Sequence, residues 1–373
     1  MKIAVNTRLL RKNQMDGLGW FAYNTLKYIV QNNPSIEFHF LFDSGIDKEF
    51  LFAKNIVPHN LFPPAKHALL NVVWFEWSVK NFLQKLNPDL FLSPDGILCL
   101  GWKGKQYAMI ADLNFYHNPE DLKWTNNKYY NYFFPRYAAI AARIATISEF
   151  SKQDIVQTFK VAPEKIDIVY CGINNFLAPV DKATQAKIRT EITGGKEYFI
   201  FVGTLHPRKN IVRLLKAFEL FKIETNADLK LVIGGKPSYK MDDIYDQQKQ
   251  MTSKDDVVFT GRIDDSRINH VLGSAMALTF VPHFEGFGIP IIEAMQCDIP
   301  VISSNTTSMP EVAGNAALLV DPYNVEAIKS AMVRLYSDPA LRNELVVKGR
   351  LQKNIFSWER TANDMWKSIE KCL

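Results

Sequence analysis

The sequence predicts an α/β protein of two doubly wound domains, each a parallel sheet with helices on both faces. Three observations carry this. The chain has 373 residues, about twice the commonest domain size. Apolar strand-like runs alternate with amphipathic helical stretches from one end to the other. The alternation breaks once, near the middle, and then starts again.

The first run, Ile3–Val5, reads as a buried strand. Its apolar core is too short for a signal peptide, and no stretch of 18 or more apolar residues follows, so a cytoplasmic protein without a membrane span is expected. Phe38–Phe42, Leu90–Leu92, Tyr107–Ile110, Ile144–Ile147 and Ile166–Tyr170 continue the strand series. Such runs, separated by helical stretches, require βαβ crossovers and a parallel sheet. Between residues 174 and 196 the pattern dissolves into NNFLAPVDK, a short polar helix and the Gly194-Gly195 turn. The domain boundary is expected there, with a first domain over 1–178 and a second over 190–355. In the second, Tyr198–Val202, Lys230–Ile233, Val257–Phe259, Ala277–Val281, Val301–Ser303 and Ala317–Val320 read as strands. Residues 356–373 read as one helix that packs back on the first domain.

Composition excludes several classes. Hydrophobic residues at 47% and charged residues at 22% describe an ordinary globular chain, not a disordered one. A formal charge of +5 is too mild to suggest nucleic acid. Cys99, Cys171, Cys297 and Cys372 form no CxxC pair and share no spacing with histidines, so neither a zinc site nor a disulfide framework is expected.

Chemistry concentrates in the second half. In YFIFVGTLHPRKNIVRLLKAF a buried strand runs through a turn into a helix, which places Gly203, Arg208 and Lys209 where a strand ends. Arginine offers a rigid fork and lysine a point charge, a pairing suited to a diphosphate. A solvated loop before a helix is the plain alternative. In HFEGFGIPIIEAM, Gly286 and Gly288 allow close backbone approach, Pro290 suits a first helical turn, and free N–H groups at that helix start form an anion site. Glu285 precedes the helix and Glu293 lies about one turn inside it. Both suit neutral hydroxyls, although Glu293 also reads as a first-turn carboxylate answering the helix dipole.

In the first half, DGLGWFAYNTL supplies Gly17 and Gly19 before a helix, a loop for phosphate or acceptor. Residues 17–22 also satisfy the dinucleotide pattern G-x-G-x-x-A, with Asp43 about two dozen residues on, so an NAD-dependent oxidoreductase is a competing reading. Ten residues between the strand and Gly17 argue against it, because in that fingerprint the glycine follows the strand almost at once. HALLNVVWFEWSVKNFLQKL is helical with an aromatic face including Trp74, Phe75 and Trp77. Core packing is its first reading. A peripheral membrane contact, helped by Lys66, Lys80 and Lys85, is the second.

These segments, with ATISEFSKQDIV, FTGRI and SNTTSMPEVAGNAALLVDP, stand in the order and separation of the retaining glycosyltransferase family 4, which the chain resembles over essentially its whole length. The resemblance implies the GT-B fold, two Rossmann-like domains facing across a cleft. It implies transfer of a sugar from a nucleotide diphosphate donor to a hydroxyl of a glycan or lipid-linked acceptor, as in polysaccharide or lipopolysaccharide synthesis. Configuration would be retained by front-face attack, with the leaving phosphate taking the acceptor proton and neither metal nor cofactor involved. Arg208 and Lys209 would hold the diphosphate, and Glu285 the donor sugar hydroxyls. Gly286, Phe287 and Gly288 would present backbone donors, and Glu293 would accept from the ribose. Backbone near Arg262 and Ile263 would frame the base, beside the close turn at Gly203. Glu311 matches a family position that caps a helix as readily as it contacts a ligand.

One departure stands out. In YAMIADLNFYHNPE the family's His-Asp becomes Ala111-Asp112. Asp112 is retained as a catalytic candidate, and His117, six positions after Ala111, is a candidate substitute or a satisfied loop histidine. A degenerate transferase that binds nucleotide without turnover is therefore a further alternative. A phosphorylase or nucleotide-sugar epimerase on the same fold is another.

Overall fold

The computed structural model describes residues 1–65, 67–173, 176–238 and 241–373. Lys66 of the proposed membrane contact lies outside the described residues, as do Asn174 and Asn175 of the expected linker. The chain divides into two compact units, Met1–Gly172 with Ser357–Leu373, and Ile173–Phe356. The division falls just ahead of the stretch expected from sequence because the residues after it bond into the second unit. Ala178 N donates to Asn269, and the side chains of Gln185 and Arg189 donate to the Gly273 and Ser274 carbonyls.

The first unit holds a sheet of β1 (Lys2–Asn6), β2 (Glu37–Phe42), β3 (Ile56–Asn60), β4 (Leu90–Ser93), β5 (Gln106–Met109), β6 (Arg143–Thr146) and β7 (Ile166–Ile168). The spatial order is β3-β2-β1-β4-β5-β6-β7, and every pairing is parallel. Because β1 pairs with both β2 and β4, the winding reverses between β1 and β4, and a crevice opens there beyond the carboxyl ends of the strands. β3 is the strand that periodicity did not reveal. Pro58 removes one ladder donor and His59 and Asn60 blur the apolar run, which an edge strand tolerates and a central one does not.

The second unit repeats the plan. Its strands are β8 (Glu197–Val202), β9 (Leu229–Gly234), β10 (Val257–Gly261), β11 (Ala277–Phe280), β12 (Val301–Ser304) and β13 (Ala317–Val320). Their order is β10-β9-β8-β11-β12-β13, again all parallel. Tyr198–Phe201 are fully buried, as expected of a strand covered on both faces. Here the winding reverses between β8 and β11.

The helix Trp358–Glu370 belongs to the first unit and buries Trp358, Ala362, Met365 and Ile369 at helical spacing. It packs on the helix Gly17–Asn32, where Trp358 meets Phe21 edge-on at 6.2 Å. Ser368 and Lys371 bind Asp167 at 2.5 and 2.7 Å, and Arg143 binds it at 2.7 Å. Burial alone would raise the Asp167 carboxyl, but these partners outweigh it and hold the group at about 2. Gly172 lets the chain pass under this helix, since a Cβ there would lie 2.4 Å from Trp358 N and 2.6 Å from its Cα. Backbone cannot yield as a side chain does, so Gly172→Ala should cost about 1–3 kcal/mol. Thermal unfolding should show a midpoint lower by several degrees, and an unchanged midpoint would contradict the close fit.

The aromatic helix is an α-helix over Ala68–Val73, a π-helical turn over Trp74–Val79 and an α-helix over Lys80–Leu86. Trp74 and Phe75 are fully buried, and Trp74 Nε1 donates to the Leu61 carbonyl at 3.0 Å. Their core reading holds. Trp77, 61% exposed, is the one of the three outside the core.

Candidate active site

The site in the second unit starts where β8 ends. Gly203, at φ +149°, donates to the Gly234 carbonyl at 3.0 Å. Gly235 lies so near that a Cβ on it would reach within 1.8 Å of the Gly203 carbonyl oxygen, so this crossing admits no side chain. The chain then makes a 3-10 turn over Pro207–Lys209 and enters the helix Ile211–Thr225. Asn210 joins the two in the left-handed conformation at φ +63°. Its buried Nδ2 donates to the carbonyls of Val281 at 3.0 Å and Pro322 at 2.7 Å. With His283 N bonded to the Arg208 carbonyl at 3.0 Å, this stitches the turn to the end of β11.

That stitching brings Arg208 and Lys209 to Glu285 across the switch point. Arg208 Nη1 donates to Glu285 Oε2 at 2.8 Å and to the Phe284 carbonyl at 3.3 Å. Lys209 Nζ pairs with the same Glu285 oxygen and lies 5.0 Å from the centroid of the Phe280 ring. Oε1 takes no part in either ion pair. Lys209 is only 8% exposed, so the solvated-loop alternative fails for it. Burial would push the Glu285 carboxyl up, but the two cations more than offset this and hold it below the ordinary range. The side chain is therefore an anion at neutral pH, able to accept hydrogen bonds and not to donate a proton.

Ser308 holds the Glu285 loop, donating to the carbonyls of Glu285 at 2.9 Å and Phe287 at 3.2 Å. Gly288, at φ +102°, caps the helix Ile289–Gln296, with Pro290 in its first turn. A Cβ on Gly288 would stand 2.7 Å from Met309 Cε. Phe287 is buried and meets Phe356 edge-on at 5.6 Å. Glu293, half-buried on this helix, has its carboxyl pushed up to about 7 by burial and then by the negative charge of Asp265. Glu311 lies in the first turn of the helix Met309–Ala313.

Ile263 lies against Gly234, where a Cβ would come within 2.5 Å of its Cδ1. Since Gly234 also binds Gly203, Ile263 belongs to the same floor. The Arg262 side chain points elsewhere, exposed and 3.9 Å from Asp265. Gly203 and Ile263 thus meet at Gly234, and Arg208, Lys209 and Glu285 form one ion-pair cluster. Asn210 and Ser308, which hold the cluster in shape, were not singled out from sequence. Their signal was a polar residue inside each quoted motif.

In the first unit, Asp112 follows β5 and accepts from Asn114 N at 3.0 Å. Ala111 presents its carbonyl to Thr146 Oγ1 at 3.4 Å. His117 Nε2 lies 2.7 Å from Asp154 Oδ1 on the helix Glu149–Phe159, which supports the satisfied-histidine reading. Gly17 opens the helix Gly17–Asn32 with free space where a Cβ would stand. The Gly19 N–H is taken by the capping Asp16 side chain at 3.0 Å, so it is not offered to an anion, contrary to expectation. Asp43, the residue on which a dinucleotide reading depends, is 3% exposed and accepts from Arg11 and from Ala65 N. Its oxygens serve the fold rather than a ribose. All four cysteines are buried and free. Among the described residues no helix is long and apolar enough to cross a membrane.

Residues 183–352 match the family model Glycosyl transferases group 1, and residues 15–175 match Glycosyltransferase Family 4. The chain is 30% identical over 220 residues to the O-antigen chain mannosyltransferase B of Escherichia coli, a stretch covering 59% of this chain and 58% of that protein. It is 26% identical over 242 residues to an MMP alpha-(1->4)-mannosyltransferase of Mycolicibacterium hassiacum, covering 64% of this chain and 56% of that one. The matched stretches therefore span less than two thirds of these relatives. Among solved structures, a glycosyltransferase from Rickettsia africae superposes with a TM-score of 0.73 at 15% identity, covering 100% of this chain and 98% of its own. The sucrose-phosphate synthase of Thermosynechococcus elongatus gives 0.76 at 17%, covering 99% and 98%. With one family model on each unit and both sheets wound as in these structures, the chain belongs to glycosyltransferase family 4 and has the GT-B fold.

Proposed function

We propose that this protein moves a hexose from a nucleotide diphosphate donor to a hydroxyl of a glycan acceptor, with retention of configuration and without a metal ion. The observation that carries the reading is the Arg208–Lys209–Glu285 cluster at the β8/β11 switch point. Two cations held on one half-buried carboxylate are preorganised for a second, more highly charged anion. An entering diphosphate shares them and places its sugar near Glu285, whose Oε1 accepts from sugar hydroxyls. In the reaction the bond from the anomeric carbon to the phosphate oxygen breaks, and the acceptor oxygen bonds to that carbon on the same face. The acceptor proton passes to the departing phosphate oxygen. Arg208 and Lys209 stabilise the charge that develops there. Glu285 is not assigned as a nucleophile for double displacement, and its ionised state serves hydrogen bonding to the donor. Glu293 is assigned to the ribose and backbone near Ile263 to the base.

The names of the relatives favour mannose as the sugar and a cell-surface polysaccharide as the destination, and a cytoplasmic enzyme fits that reading. Ala111 favours a second reading, a nucleotide-binding protein without turnover.

Thermal unfolding with UDP, GDP, ADP and TDP at matched concentrations tests the donor site. Saturation at 100 times Kd stabilises by about 2.7 kcal/mol, which raises the midpoint by several degrees. One nucleotide should act, and Arg208→Ala should abolish its effect. If none shifts the midpoint, the donor site is misassigned. A shift without transfer from the matching nucleotide hexoses selects the second reading. Where transfer occurs, proton NMR of the new anomeric centre decides between retention and inversion.

A further inference from the structure

Two hydroxyls beside the Glu285 loop are left unused by the fold. β12 ends at Ser304, and the chain continues through Asn305, Thr306, Thr307 and Ser308. The two serines bracket the threonines and tie both ends of this run to the loop that follows β11. Ser304 Oγ donates to the Pro282 carbonyl at 2.5 Å, and Ser308 Oγ to the carbonyls of Glu285 and Phe287 at 2.9 and 3.2 Å. Between them Thr306 Oγ1 and Thr307 Oγ1 are closed off from solvent and have no hydrogen-bond partner among the described residues. A hydroxyl buried in this way costs stability until a partner reaches it. Ser303 Oγ is in the same state, but that residue lies inside the sheet, paired with β11 and β13, and stays with the fold. Thr307 carries a second cost. Its φ is +56°, and it is the one β-branched residue at positive φ among the described residues, where the others are Gly, Asn, Asp or Lys. Glycine would adopt that conformation without strain. A strained backbone and an unpartnered oxygen on one residue point to a ligand rather than to packing.

Strand order indicates which part of the ligand. Along the carboxyl edge of the second sheet Ile263 follows β10, Arg208 and Lys209 follow β8, Glu285 follows β11 and the threonines follow β12. The transferase reading gives these positions to base, diphosphate and sugar in turn. The threonines come next, one strand further on, a spacing of about 4.8 Å. We propose that Thr306 and Thr307 are specificity-determining residues that hydrogen-bond hydroxyls of the transferred hexose on its side away from the diphosphate. The assignment rests on the transferase reading above. The ionised Glu285 can only accept, whereas a threonine hydroxyl both donates and accepts, so the threonines read sugar oxygens that a carboxylate would repel. A phosphate suits them less, because Arg208 and Lys209 stand on β8, on the other side of β11.

The test is calorimetric titration with the nucleoside diphosphate selected by thermal unfolding, with its nucleotide hexose, and with the same donor lacking one sugar hydroxyl at a time. Thr306→Val and Thr307→Val replace the hydroxyl by a methyl group of similar shape. At least one of them should weaken the nucleotide hexose about tenfold, as expected for one hydrogen bond, and leave the nucleoside diphosphate within about twofold. For that variant one deoxygenated donor should bind wild type equally weakly and lose nothing further in the variant, because both changes delete the same bond. Thr307→Ser keeps the hydroxyl and should bind the full donor within about threefold of wild type. Thr307→Gly relieves the backbone, so it should melt no lower than wild type while losing affinity for the sugar. The inference is overturned if both valine variants bind the nucleotide hexose like wild type, if nucleoside diphosphate and nucleotide hexose weaken alike, or if every deoxygenated donor adds its own loss to that of the variant. A lower melting midpoint for Thr307→Gly would return that side chain to packing. Wild type that binds no nucleotide sinks the donor reading and this inference together. Nucleotide binding with silent valine variants sinks this inference alone.

Discussion

Arg208→Ala is expected to lower kcat by about 10²–10³, equivalent to roughly 3–4 kcal/mol of transition-state stabilisation. The size follows from the role. The Arg208 fork is the group in the cluster able to bind a phosphate bidentately, and at 23% side-chain exposure it sits where solvent screens little of the developing charge. Folding should suffer much less. Glu285 keeps its ion pair with the buried Lys209 and so is not left as a lone buried charge. Arg208→Lys separates charge from geometry, retaining the cation without the fork, and should fall between wild type and the alanine variant. Steady-state kinetics with the nucleotide hexose that shifts the melting midpoint makes the comparison. A variant within about threefold of wild type would show that the diphosphate is held elsewhere, since the argument has no room for so small a loss.

The parts of this site that sequence revealed and the parts it hid differ in a physical way. Strands buried on both faces write themselves as apolar runs, and Tyr198–Val202 or Ala317–Val320 could be read to within a residue or two. β3 could not, because an edge strand need not be apolar and His59 and Pro58 are tolerated there. Motif residues were legible as chemistry but not as partners. Arg208, Lys209 and Glu285 were given separate ligand atoms, whereas the fold ties them to one another over a separation of 76 or 77 residues. Nothing local signals that pairing, which comes from Asn210 fastening the β8 turn to the β11 end. In the first unit, the ion pair of Arg8 with Asp95 was missed for the same reason. Each residue alone reads as a loop charge, and only the reversal between β1 and β4 makes them neighbours. Gly19 shows the converse case, a glycine in a loop read for phosphate or acceptor whose own N–H goes to the side chain of the preceding Asp16.

Glu293→Gln is expected to stabilise the free protein above neutral pH while weakening nucleotide binding. The folded carboxyl sits at about 7, well above the ordinary Glu value of 4.5, because burial and Asp265 oppose its charge. Between those two values the folded chain holds a proton that the unfolded chain has lost, so stability falls as pH rises from about 4.5 to about 7 and levels off above. The shift corresponds to up to about 3 kcal/mol, and partial exposure of the side chain reduces it to about 1–3. Glutamine carries no charge to bury. At pH 8 the variant should therefore melt several degrees higher than wild type, and its melting midpoint should vary less between pH 5 and 8. Nucleotide reverses the order. A carboxylate that accepts from the ribose hydroxyls gains about 1.5–3 kcal/mol as a charged acceptor, so wild-type affinity should rise with pH through 7 as the proton leaves. Glutamine should bind the nucleotide about tenfold more weakly at pH 8, without that pH dependence. Calorimetry in two buffers of different ionisation enthalpy would detect proton release by wild type near pH 6.5 and little by the variant. A variant less stable than wild type at pH 8 would mean that Glu293 is held as an anion by a partner in the free protein. Unchanged nucleotide affinity would instead remove it from the ribose and leave only its place on the helix Ile289–Gln296.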